Sequence, residues 1–67
     1  MTDRIQISLA AARVNAGMTI EDVAREMKSS KQTIINLEKG RRSPRPAEMA
    51  FLSNLYKISV DNIFLPR

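Results

Sequence analysis

Residues 18–40 read MTIEDVAREMKSSKQTIINLEKG. Two short amphipathic patterns stand here with only KSS between them. In the first, Ile20, Val23, Ala24 and Met27 recur at helical spacing. In the second, Ile34 and Leu37 take one side, while Lys31, Gln32, Ile35 and Asn36 take the other. Thr19 and Ser30 are good N-caps, Asp22 stands at the capping-box position after Thr19, and Gly40 suits the left-handed residue that ends a helix. Two short helices joined by so few residues cross at a large angle, so the first braces the second and the second projects. Ala24 fits that geometry, because a large side chain there would hold the helices apart. A projecting polar helix can enter a major groove, and helix starts offer unpaired N–H groups to phosphates.

Working outward, Asp3 with Gln6 fits a capping box that opens an earlier helix, with Ile5, Leu9, Ala12 and Ala16 on one stripe. Gly17 suits its end. After the central pair, RRSPRP at 41–46 breaks both periodicities and reads as a loop. Pro46 fits the first turn of a fourth helix, on which Met49, Leu52, Ser53 and Tyr56 share a face. Ser59 is placed to cap a short fifth helix through about Phe64. No segment alternates like a strand. The expected fold is all-α, five short helices around one core, in a single domain over residues 1–67.

Composition narrows the function. The chain of 67 residues contains no Cys and no His. Disulfides, thiol nucleophiles, histidine bases and the usual soft-metal sites are therefore excluded. The carboxylates show no metal-binding spacing, so neither an enzyme nor a cofactor or metal is expected. No apolar run approaches the roughly 18 residues of a membrane span. The first ten residues are amphipathic rather than a signal peptide, and a cytoplasmic location is expected. Net charge is +4 and the pI about 10.1. Between Arg25 and Arg45 there are seven Lys/Arg against two Glu; the rest of the chain has four against five. A basic excess in one window points to an anionic partner. Single-stranded RNA is disfavoured, since stacking needs exposed aromatics and only Phe51, Tyr56 and Phe64 are present.

Residues 18–44, MTIEDVAREMKSSKQTIINLEKGRRSP, resemble the helix-turn-helix of the Cro and phage-repressor type, the XRE family. EMAFLSNLYKISVDNIF at 48–64 is similar to that family's fourth and fifth helices. The resemblance implies a compact five-helix helix-turn-helix domain of the phage-repressor type, with the helix-turn-helix at about 19–39 and helices four and five at about 46–64. It implies a bacterial or phage-encoded regulator, expected to be a repressor, that binds double-stranded DNA as a homodimer on a two-fold symmetric operator. It places base contacts at Lys31, Gln32 and Asn36. The chemistry agrees: Gln and Asn pair with adenine in bidentate fashion, and Lys donates to guanine. Ile35 has no evident core role and could meet thymine methyls. Thr19, Thr33, Lys39, Arg41, Arg42 and Arg45 read as phosphate contacts, which position without specifying. The resemblance also pairs Arg13 with Glu38.

Three departures stand out. Ile20 lies where the family often has a phosphate-contacting Gln. Lys28 and Lys57 lie where Gly is common, at turns that need positive φ, and a non-Gly residue there costs about 1 kcal/mol. Arg45 replaces the usual Ser-type cap of helix four, a loss of typically ~1 kcal/mol. For assembly, Ile63 is expected in the core, which leaves Phe51, Leu55, Phe64 and Leu65 for a dimer interface. An antitoxin-like or anti-repressor module, whose main ligand is a protein, is the alternative. It would need a further segment to wrap its partner, which is not expected in a chain read to Arg67. No small-molecule ligand is expected.

Overall fold

The computed structural model describes residues 6–64, with the backbone alone at Phe64. The order is β1 (Ile7–Ser8), α1 (Leu9–Asn15), α2 (Ile20–Met27), α3 (Lys31–Lys39), α4 (Pro46–Tyr56), a 3-10 turn (Val60–Asn62) and β2 (Ile63–Phe64). Thus four α-helices, not five, lie among the described residues.

The expected fifth helix is a single turn. Ser59 does cap it, its Oγ accepting the Asp61 N–H at 3.3 Å. Ile63 then turns extended (φ −102°, ψ 125°) and pairs in parallel with Ile7, as Phe64 does with Ser8. That pairing also corrects the expectation of no strand. The two partners lie at opposite ends of the chain, and each strand is too short to show a period of two.

The same pairing resets the start of α1. Ser8 is the N-cap, its Oγ accepting the Ala11 N–H at 3.0 Å. Gln6, expected in a capping box with Asp3, instead donates from Nε2 to the Asp61 carbonyl at 3.3 Å. Asp3 and Ile5 lie outside the described residues. Ala16, expected on the buried stripe, is exposed because α1 has ended by then.

Every α-helix closes in the same way. The second residue past each helix, counting the left-handed residue as the first, donates its N–H five residues back: Met18 to Arg13 at 3.1 Å, Ser29 to Ala24 at 2.8 Å, Arg41 to Asn36 at 2.9 Å and Ile58 to Ser53 at 3.0 Å. The left-handed residues are Gly17, Lys28, Gly40 and Lys57, with φ of 72°, 55°, 76° and 55°. Lys28 and Lys57 therefore take the strained backbone that their positions imply.

The core collects Leu9 and Ala12 from α1, Val23 and Ala24 from α2, Ile34 and Leu37 from α3, Met49, Leu52 and Tyr56 from α4, and Ile63 from β2. Apart from the Tyr56 phenol, no polar or charged side chain is buried among the described residues. No described helix is long and apolar enough to cross a membrane. With Ile34 and Leu37 facing inward, the opposite side of α3 faces out.

Candidate nucleic-acid interface

The bracing helix opens on a complete capping box. Thr19 Oγ1 accepts the Asp22 N–H at 3.0 Å, and Asp22 Oδ2 accepts the Thr19 N–H at 2.9 Å. Arg25 adds a 2.7 Å bond to Asp22 Oδ1. The Asp22 carboxyl is held below its ordinary range, first by the Thr19 backbone N–H and then by Arg25. Glu21 shares this first turn. The start of α2 is thus already answered by carboxylates, and Thr19 retains only its own hydroxyl proton to offer a phosphate.

The start of α3 is different. Ser30 Oγ accepts the Thr33 N–H at 3.2 Å and lies 3.0 Å from Thr33 Oγ1. No acidic residue occupies the first turn. The positive end of this helix dipole is free of carboxylates of its own, as an approaching anion requires.

Lys31, Gln32, Ile35 and Asn36 lie together on the outward face of α3. Lys31 and Gln32 are exposed, and Ile35 and Asn36 are half-buried. Gln32 Nε2 donates to Asn36 Oδ1 at 3.0 Å across one helical turn. This bond orients both amides and leaves Gln32 its carbonyl and one N–H, and Asn36 its NH₂ group and one carbonyl lone pair. Lys31 Nζ stands 3.8 Å from Glu21 Oε2, a loose pair between two exposed side chains. That tether has no sequence signature, since it depends on how α2 and α3 cross.

Two further pairs fix what surrounds this face. Arg13 Nε donates to Glu38 Oε2 at 2.7 Å, and Arg13 Nη1 to the Met18 carbonyl at 3.0 Å. The side chains retain 15% and 11% exposure, so α3 is tied to α1 and to the turn after it in a largely enclosed seam. Bonding to Glu38 raises the Arg13 guanidinium further. Nearby, the Tyr56 phenol is pushed up to about 12, chiefly by burial and next by the Glu38 charge.

The second pair engages a residue expected on DNA. Arg42, read as a phosphate contact like Arg41, gives both Nη atoms to Glu48, at 3.0 and 2.9 Å. Glu48 Oε1 also accepts the Arg45 N–H at 2.8 Å. This is half of a capping box; a guanidinium has no lone pair with which to complete it. Glu48 went unassigned in the sequence, although its place three residues after the helix cap was the available signal. Thr33 is half-buried, whereas Lys39, Arg41 and Arg45 are exposed around the end of α3 and the loop after it.

A protein-family model described as helix-turn-helix matches residues 9–63. The chain belongs to that family, of the Cro and phage-repressor (XRE) type. It is a DNA-binding helix-turn-helix domain, and α2 and α3 lie within the matched residues. No curated protein and no solved structure gives a significant match. Within the helix-turn-helix, the departures expected from the sequence are local: a hydrocarbon at position 20 and a left-handed lysine at 28, with Lys57 repeating the latter after α4.

The apolar residues expected at a dimer interface are less uniform. Phe51 is 39% exposed, whereas Leu55 is half-buried against the core. The side chain of Phe64 and all of Leu65 lie outside the description.

Proposed function

We propose that this chain is one sequence-specific DNA-binding unit, a cytoplasmic transcriptional repressor that inserts α3 into the major groove. Gln32 and Asn36 read adenines and Lys31 a guanine, while Lys39, Arg41, Arg45 and the hydroxyls of Thr19 and Thr33 hold phosphates. The observation that supports this best is the Gln32–Asn36 bond, which orients two amides on an exposed helix face at 3.0 Å from one another. An orienting bond of this kind reduces the rotamer freedom lost on binding. Arg42 is withdrawn from the phosphate set, because Glu48 neutralises it.

One recognition helix reads only a few base pairs, so two copies on a two-fold operator are proposed, with half-sites about 34 Å apart. Of the apolar residues expected at that interface, Phe51 has a described side chain that is exposed, at 39%.

The test is selection of bound duplexes from a random DNA pool, followed by titration of variants. A two-fold consensus is the expected product. Gln32→Ala or Asn36→Ala should then cost about 1–3 kcal/mol on the selected duplex and much less on a scrambled one. Equal losses on both would remove these residues from base reading. Sedimentation with the selected duplex tests assembly: one protein copy per full site would end the dimer proposal.

A further inference from the structure

A shallow groove of about 370 Å³ opens between the start of α2 and the outward face of α3. Its apolar lining is Met18, Ile20 and Ile35, and Lys31 and Glu21 stand with them. Ile20 packs partly on the core, but Ile35 is not among the buried residues of α3, which are Ile34 and Leu37. Two β-branched side chains thus form an apolar notch beside Lys31, on the same helix face as Gln32 and Asn36.

The surroundings select the occupant. The basic window of the chain favours an anionic partner over an apolar protein surface. Arg13, which also lines the groove, is held by Glu38, and Glu21 stands 3.8 Å from Lys31, so the groove offers a phosphate little net charge and a base edge fits better than the backbone. In the major groove the four bases present one apolar group, the C5-methyl of thymine. We infer that Ile20 and Ile35 form a thymine-methyl notch, a specificity determinant next to the position read by Lys31. This rests on the DNA-reading function proposed above and adds a base preference that hydrogen bonding alone does not supply.

The experiment uses the full chain and its pool-selected duplex, with each thymidine replaced singly by deoxyuridine. Only the methyl is removed; every hydrogen-bonding group stays. Loss of one buried methyl should weaken binding about fourfold at one or two positions in each half-site. At those positions Ile35→Ala, shown to be folded by its helical circular dichroism, should bind both duplexes equally. Specific binding with uridine tolerated at every position would overturn the notch and leave the DNA-reading function standing. A uridine penalty unchanged in both Ile35→Ala and Ile20→Gln would also overturn it, because the methyl is then read elsewhere. A pool that yields no enriched site would overturn the reading of DNA sequence itself.

Discussion

The two arginine–glutamate pairs lie on either side of the loop that follows α3, and they do different work. Arg13 and Glu38 sit in a seam among α1, α3 and Tyr56, at 15% and 11% exposure. Arg42 and Glu48 join the loop to the first turn of α4, at 36% and 21% exposure. The first pair ties α3 to α1 and to the turn after it. The second ties the loop to α4 and pairs a guanidinium that the sequence alone would offer to DNA. Equal chemistry therefore gives unequal consequences, because the effective dielectric and the elements joined are different.

The largest effect should come from the enclosed pair. Arg13→Met or Glu38→Gln should lower stability by about 2–3 kcal/mol, since each leaves its partner charged and largely desolvated. In thermal unfolding the double variant should lose less than the sum of the two singles. Zero coupling in that cycle would place this pair in the same class as an ordinary surface contact.

Next come the two neighbouring arginines, which the structure separates. Arg41→Ala should weaken binding on every sequence and flatten the slope of log K against log salt by about 0.9. Arg42→Ala should leave that slope nearly unchanged and reduce thermal stability instead. Equal slope changes in the salt titrations would mean that Glu48 does not hold Arg42 on DNA.

A pH series probes the second pair more finely. The Glu48 carboxyl is lowered from 4.5 to about 2, first by Arg42 and then by the Arg45 N–H. The folded value lies below the unfolded one, so the stabilisation is present above pH 4.5 and fades as pH falls toward 2. Glu48→Gln should therefore narrow the stability difference between pH 5 and pH 2.5, two conditions chosen as roughly bracketing that window. An unchanged difference would assign the acid sensitivity to other carboxylates, Asp22 first.

The smallest effect lies away from both pairs. Lys28→Gly should raise stability by roughly 0.5 kcal/mol, because the left-handed strain relieved exceeds the backbone entropy lost. DNA affinity should stay the same. A fall in affinity would show that Lys28 itself meets phosphate.

By itself the sequence determined the central unit. The caps Thr19 and Ser30, the left-handed glycines 17 and 40, and the inward face of Ile34 and Leu37 follow from chemistry acting over five residues or fewer, whereas the left-handed Lys28 and Lys57 are implied by the family resemblance. The family motif lies in that same stretch, which is why the projecting helix and its outward residues were legible. Tertiary structure decided what required distant partners. Ile7 meets Ile63 across the whole chain, and this moved the start of α1 and shortened the last helix to one turn. Likewise Glu48 claims Arg42, and Glu21 reaches Lys31, only once helices and loop have packed. Charge and spacing show that an arginine is present; which anion it meets is set by geometry that only the folded chain supplies.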